Sequence, residues 1–579
     1  MIAKETIKKD EIRRSHTEKN RKPQGKTLRI IPLGGLEEIG RNMTIFEYGN
    51  DIIIVDCGLM FPDEEMMGID YIIPNTDYLE KKKKNIRGVI ITHGHFDHIG
   101  AIPHIIPRIG NPPIYATELT RALILRRQED YKDNAPLNVR TVRKIDRLTL
   151  GAFQVEFFHV NHSIPDSVGL AIRTPQGLIM HTGDFKFDHS PVGDVPADIS
   201  KIARLGSEGV LALMSDSTDA QVEGYSISES KIRDNLSEIF ARSKGRVITA
   251  TFSSLVSRVQ QIAEIAEKQG RKLAVDGYSM KNTVEIARKL GYINAKGSTF
   301  IDIKDVNKYP DSKIAILCTG AQGESNAVMM RIINGDHRYV QIHHGDTIIF
   351  SSSVVPGNER TVQGLKDTLF KKGAEVIHYK MMDIHSGGHA RQEDLKMMIN
   401  LVRPKYLIPI HGTYCMLKTH AKLGEELGLK PENTLVGENG QVIEFDHHGV
   451  GKITPEKVPS DYVMVDGLGV GDVGSVVLRD RKLLAEDGMF TITVIIDKKK
   501  REIIGEPQIT SRGFIYVKEN FDLVNATKRN IKKIIAHSTS KEADPNWNYI
   551  KKNIRDDVGQ FLFQKTQRRP MILPVIIEV

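Results

Sequence analysis

The chain has 579 residues, of which 40% are hydrophobic and 27% charged, and its 81 Lys and Arg against 73 Asp and Glu give a formal net charge of +8. These are values of a multi-domain globular protein, and they exclude wholesale disorder, collagen and coiled coil. Three widely spaced cysteines, Cys57, Cys318 and Cys415, make neither a disulfide framework nor a thiolate zinc cluster, and no apolar run approaches the ~18–20 residues of a membrane span. The expectation is a cytoplasmic protein without a membrane partner, whose mild basicity suits a polyanion.

Residues 1–26 carry nine Lys or Arg against four Asp or Glu with no core-forming period, and read as a disordered basic arm. From Leu28 onward, apolar runs predict buried strands at 28–32, 51–55, 89–92, 155–160, 177–181 and 210–215. Most of them end in polar clusters: VDCG at 55–58, THGHFDH at 92–98, VNHS at 160–163, HTGD at 181–184 and SDST at 215–218. A second α/β block starts near Tyr225. Helices are expected there at 226–243 and 255–270, and strands at 246–252, 272–275, 314–318 and 347–351. Near residue 375 the first style returns, followed by YLIPIHGT at 406–413, so one domain is interrupted by another. After the polar stretch 446–460 comes a third unit with Gly-rich turns, the strand-like 489–497 and a helical segment at 521–537.

The densest chemistry lies in His93, His95, Asp97 and His98, four potential ligands within six residues after a buried strand. Close-set buried polar groups are costly unless they have partners. In a tight turn His93 and His95 can aim at one ion while Asp97 and His98 aim at another, as two-metal hydrolases require. His162, Asp184 and His411 each follow an apolar strand and supply the remaining ligands. Imidazole and carboxylate without thiolate suit zinc or manganese, with positions left open for water and substrate. His104, His159 and His181 read as packing residues, and His343, His344, His447 and His448 have no ligand-like context.

HGHFDH, the later single histidines and the aspartate of HTGD resemble the metallo-β-lactamase fold, and the interrupting block resembles the β-CASP nucleases. Within these the chain resembles the ribonuclease J family, on PLGGLEEIGRNM (32–43), VDCGLMFPDEEMMGID (55–70), VNHSIPDS (160–167), HTGDFKFD (181–188), SDST, FSSSVVPGNE (350–359), the 385–389 segment and VDGLGVGDVG (465–474). The resemblance implies an α/β fold: a metallo-β-lactamase αββα sandwich with an inserted α/β β-CASP domain and a small α+β C-terminal domain. The expected division is 27–223 and 374–450 for the sandwich, 224–373 for the insert, 451–460 for a linker and 461–579 for the C-terminal domain.

By the same resemblance two divalent ions are bound, zinc first, with manganese or magnesium as alternatives. His93, His95 and His162 hold one, Asp97, His98 and His411 the other, and Asp184 bridges them, with Asp56 orienting a ligand from behind. Asp383 to His389 completes the site: His385, Ser386, Gly387, Gly388 and His389 bind the substrate phosphate, His389 protonates the leaving 3′ oxygen, and Asp216 orients it. Ser253, Ser254 and Leu255 hold substrate near its 5′ end, although relatives commonly have Asn at the Leu255 position. Gly320 to Glu324 and Ser351 to Ser353 read as further phosphate-binding turns.

The implied activity is hydrolysis of RNA by a metal-bound hydroxide, endonucleolytic and 5′→3′ exonucleolytic, in rRNA maturation and mRNA decay. The implied partners are single-stranded, 5′-monophosphorylated RNA, a second or further copies in a homodimer or homotetramer, and RNA-degradation or ribosome-associated proteins. A small-molecule hydrolase of the same fold would need no insert of about 150 residues as a roof. A DNA nuclease and a non-catalytic RNA scaffold are the other readings, and the second of these conflicts with seven ligand positions all being present.

Overall fold

The computed structural model describes residues 26–579 except Glu64, Ser325, Pro356, Arg501 and 540–546, so the expected basic arm lies, but for Lys26, outside the described residues. The described chain divides into two units, the first comprising residues up to Met60 and Ile72–Val463, the second Phe61–Tyr71 and Met464–Val579.

Two mixed sheets form the base of the first unit. One has eight strands, in the spatial order Gly451–Lys457, Gln441–Phe445, Leu28–Gly34, Met43–Tyr48, Asp51–Val55, Ile86–Ile90, Ile114–Ala116 and Val139–Thr141. The other has six: Tyr406–Ile410, Val210–Asp216, Gly177–His181, Val168–Thr174, Phe153–His159 and Arg147–Leu150. Their facing side chains, among them Phe46 and Ile53 from the first and Phe157, Leu170, Ile179 and Met214 from the second, make one continuous core. Helices Ile199–Ser207 and Gln392–Val402 cover the outer face of the second sheet through Ile202, Leu205, Leu395 and Met398. Layers of this kind bury both faces of the central strands, such as Val210–Asp216 and Gly177–His181, which is why those read as unbroken apolar runs.

The insert is a six-stranded parallel sheet in the order Phe300–Ile301, Lys272–Asp276, Ile314–Cys318, Val247–Ala250, Thr347–Phe350 and Glu375–His378. Successive side chains alternate between two cores: Val247, Ala315 and Ile349 pack on one face, Ile248, Ile316 and Ile348 on the other. Helices Glu229–Arg242 and Val256–Lys268 cover the first face.

Several expectations shift. Residues 451–457 are a strand at the edge of the eight-stranded sheet, not linker, and the first unit continues to Val463. Glu375–His378 closes the inserted sheet, so the insert extends beyond residue 373. The strand expected at 89–92 runs over Ile86–Ile90, leaving Thr92 free of the ladder for a side-chain role. Strands Met43–Tyr48 and Val168–Thr174 were not expected.

The second unit has a three-stranded sheet, Gln508–Arg512, Met489–Ile496 and Met571–Glu578, whose residues Phe490, Ile492 and Val494 pack on helices Phe521–Thr539 and Trp547–Thr566. The last helix and strand were also unexpected. No helix among the described residues is long and apolar enough to cross a membrane.

Candidate metal centre

The site is built where strands of both sheets run out. The turn after Ile86–Ile90 opens the short helix Phe96–Ile99, which carries Asp97 and His98, and His162, Asp184 and His411 follow Phe153–His159, Gly177–His181 and Tyr406–Ile410. These residues converge in two clusters. His93, His95 and His162 make the first, with His95 Nδ1 3.1 Å from both His93 Nε2 and His162 Nε2. Asp97, His98, Asp184 and His411 make the second, with His98 Nε2 3.2 Å from Asp184 Oδ2 and His411 Nε2 3.2 Å from Asp97 Oδ2. Asp184 Oδ2 also faces the first cluster, 3.7 Å from His93 Nε2 and 3.9 Å from His162 Nε2.

The two clusters differ in proton balance. Burial disfavours the charged imidazole and pushes His93 and His162 well below the usual histidine range and His95 to about 4. Burial acts on His98 and His411 too, but Asp184 and Asp97 outweigh it, lifting His98 well above its usual value and His411 to about 10. The same imidazoles hold Asp97 and Asp184 well below the carboxylate range against the opposing effect of burial.

A divalent cation fits this donor set. Three neutral imidazoles turn nitrogens toward one another at 3.1 Å, where their lone pairs converge. Asp184 Oδ2 is buried and accepts no well-aligned hydrogen bond, although His98 lies close. A cation in each cluster satisfies both conditions with nitrogen and oxygen ligands alone.

Behind the ligands stands a support layer. Asp56 Oδ2 lies 2.8 Å from His98 Nδ1, and Asp56 Oδ1 accepts from Thr92 N at 2.8 Å. Thr92 Oγ1 lies 3.1 Å from His93 Nδ1, and Thr218 Oγ1 2.7 Å from His411 Nδ1. Such partners fix ring orientation at metal sites. Thr92, Thr218 and Asn42, whose Nδ2 lies 3.2 Å from His98 Nε2, fall within motifs quoted above, but nothing in the sequence assigned them a role.

His389 Nδ1 lies 2.8 Å from Asp216 Oδ2, and its ring stacks on that of His411 with centroids 5.6 Å apart. Burial would lower its pKa, but the Asp216 carboxylate raises it to about 9. Asp216 is in turn fixed by Thr218, whose N and Oγ1 donate to Oδ1 at 3.0 and 2.8 Å. Gly388 links this loop to the first cluster: its carbonyl lies 2.7 Å from His162 Nδ1, and at φ +86° a Cβ would come within 3.0 Å of the His162 ring. Ser386 is buried and Gly387 exposed.

The remaining substrate candidates stand apart from the clusters. Ser253 and Ser254 lie in the turn between Val247–Ala250 and Val256–Lys268, and Leu255 occupies the helix cap without a side-chain hydrogen bond. The first turn of that helix nevertheless reaches the His385 loop. Arg258, buried, donates from Nη1 to Ile384 O at 2.6 Å and from Nη2 to Glu229 Oε2 at 2.9 Å, and Lys186 Nζ lies 3.3 Å from Glu229 Oε1. His385 is half-buried with an unpartnered Nδ1, and burial followed by the Arg258 charge lowers it to about 3. Gln322 joins the two Gly/Ser turns, donating to Ser353 O at 2.7 Å and accepting from Val355 N at 2.8 Å. His104, His159 and His181 lie outside both clusters: His159 Nε2 is 2.9 Å from Val195 O, and His181 Nδ1 accepts from Gly183 N at 3.0 Å. His343, by contrast, does meet carboxylates, Asp311 and Asp346, though at an exposed position.

Comparison with known proteins follows the same division. Residues 36–217 match the metallo-β-lactamase superfamily and 244–369 the ribonuclease J β-CASP domain. Residues 376–435 match the Zn-dependent metallo-hydrolase RNA specificity domain, and 476–579 the ribonuclease J C-terminal domain. The chain is 41% identical to ribonuclease J2 of Bacillus subtilis over 559 residues, covering 96% of this chain and all of that one. It is 42% identical to ribonuclease J 1 of Streptococcus pyogenes, covering 95% and 97%, and 39% identical to ribonuclease J 2 of Staphylococcus saprophyticus, covering 96% and 99%. A crystal structure of a protein of unknown function from Enterococcus faecalis shares the fold, with a TM-score of 0.51 at 17% identity over 72% of this chain and all of that one. With four matching domain families in order and relatives aligned nearly end to end, the chain belongs to the ribonuclease J family.

Proposed function

We propose that the chain cleaves RNA both within a strand and stepwise from a 5′-monophosphorylated end, with two zinc ions in the clusters described, in rRNA maturation and mRNA decay. As a member of its family it is a metal-dependent ribonuclease that takes a divalent ion and acts on RNA. Manganese and magnesium are the alternative ions, and the C-terminal unit is the proposed seat of a homodimer or homotetramer. The observation that carries the reading is the meeting of two ligand clusters at one carboxylate, Asp184, with His389 beside them.

When bound, two ions supply an activated water and neutralise charge on the phosphate. The chain's own residues do the rest. Asp184 sets the spacing of the clusters. His389, kept protonated at neutral pH by Asp216, bonds through Nδ1 and so presents Nε2 as the proton donor for the leaving 3′ oxygen. The Gly388 carbonyl makes this donor and the ligand His162 parts of one unit. Arg258 holds the loop from the insert through Ile384, so substrate gripped near Ser253 and Ser254 is in register with the acid.

The test is digestion of one RNA carrying a 5′-monophosphate, triphosphate or hydroxyl, with products read at single-nucleotide resolution. The reading requires stepwise products from the monophosphate RNA and internal cuts in all three. Internal cuts alone, independent of the 5′ end, would remove the exonucleolytic half.

A further inference from the structure

The turn joining strands Leu28–Gly34 and Met43–Tyr48 has no part in the chemistry above, yet it meets the carboxylate cluster from two sides. Gly35 O accepts from His411 N at 2.8 Å, and Leu36 and Glu38 both form bridges to Gly412. Asn42 N and Nδ2 donate to Asp97 O at 3.0 and 3.2 Å, and Nδ2 lies 3.2 Å from His98 Nε2. The turn therefore touches both segments that bring Asp97, His98 and His411 to Asp184. It is not relaxed. Glu37 and Arg41 have φ of 61° and 56°, a region that non-glycine residues hold only when their surroundings impose it. A Cβ at Gly34 would lie 2.0 Å from Arg41 O, so the turn folds back on itself with no space between.

Arg41 is what imposes that shape. Its side chain is 1% exposed, with Nε 2.9 Å from Glu38 Oε1 and Nη2 3.3 Å from Glu38 Oε2. Glu38 Oε1 in turn accepts from Gly35 N at 3.2 Å and Asn439 Nδ2 at 2.9 Å. The remaining partners come from far along the chain: Nη1 donates to Ser460 O at 2.9 Å, and the guanidinium carbon lies 4.6 Å from the Tyr462 ring centroid. Residues 458–462 follow the last strand of the eight-stranded sheet, and Val458 N anchors them on Gly440 O at 2.8 Å. A buried guanidinium that lost these partners would be left undercompensated. The imidazole cluster has other supports, Thr92 and the Gly388 carbonyl.

We propose that Arg41 is a positioning residue for the carboxylate half of the metal centre, and that residues 458–462 are a strap that completes its seat. The proposal rests on the two-ion reading. Loss of the clamp lets the turn relax away from Asp97, His98 and His411, and the ion on that side is held less tightly while its neighbour is retained.

The test strips the full-length chain of metal and titrates zinc back against a chromophoric chelator to resolve two binding steps. Arg41→Ala should weaken one step about tenfold or more, the scale set by partners standing behind metal ligands. The other step should move far less, because its supports, Thr92 and the Gly388 carbonyl, are not part of the clamp. Guanidinium ion added to the buffer should restore the weakened step. In a His411→Ala background, which keeps only the imidazole-side ion, Arg41→Ala should add nothing. Tyr462→Leu removes only the ring face and should weaken the same step about threefold, which keeps the question open to measurement if Arg41→Ala does not fold. Equal weakening of both steps, or no change in folded Arg41→Ala and Tyr462→Leu, overturns the proposal. Fewer than two zinc ions on the unaltered chain overturns the two-ion reading instead.

Discussion

The two halves of the metal centre share one depth of burial and answer it in opposite ways. His93, His95 and His162 have no carboxylate of their own, and burial leaves them neutral and ready to donate lone pairs. Asp97, His98, Asp184 and His411 pair two carboxylates with two imidazoles, which raise and lower one another. The difference explains where the supporting residues gather. The imidazole half meets Thr92, Ser163 and the Gly388 carbonyl, whereas the carboxylate half draws on Asp56, Thr218, Asn42 and the clamped turn behind it, and shares Thr92. A site that concentrates charge needs more partners to keep each group in place.

Substitution should cost most at the residue the halves share. Asp184→Asn removes the charge facing both clusters. Activity on RNA should fall beyond the ~10–100-fold typical of altering a residue behind a ligand, and metal analysis should find at least one ion lost. Next in size, His389→Ala should lower kcat ~10²–10⁴-fold, the contribution of a positioned general acid, with both ions retained. His411→Ala should lose an ion, because its Nε2 faces Asp97. If His389→Ala also loses one, the division between ligand and acid is wrong.

The residues that converge in the two clusters were legible because each sits at a strand end in a short run of unusual composition, and local density is what a linear reading detects best. Their grouping was legible only through resemblance, since spacing alone leaves His162, Asp184 and His411 free to join either ion. Of the supports, Asp56 and Asp216 were legible through the same resemblance, and the long-range ones were not. Arg258 finds its partner at Ile384, 126 residues on, and Arg41 at Ser460, 419 residues on, both through backbone carbonyls that no side-chain pattern marks. The same limit explains residues 451–457: a polar, partly exposed edge strand beside Gln441–Phe445 has the composition of a linker.

Asp56→Asn acts chiefly on the carboxylate half. It should weaken ion binding in the carboxylate half ~10–100-fold, and the imidazole half, which Asp56 reaches only through Thr92, by less, as resolved by two-step zinc titration. The smallest effect expected is at the insert. Ser253→Ala removes one neutral hydrogen bond, ~0.5–1.5 kcal/mol, so binding should weaken about tenfold at most. Trimming of 5′-monophosphorylated RNA should suffer more than internal cleavage; an equal effect on both would make the segment a general backbone grip.

On the two-ion reading, Asp184 joins two ion sites in one chain. The most direct test is the metal content of the full-length chain, stripped, reloaded and weighed as the folded protein by native mass spectrometry, alongside an assay on RNA. Two ions per chain, with activity rising only as the second is bound, is the expected result. Full activity with one ion or none would contradict it.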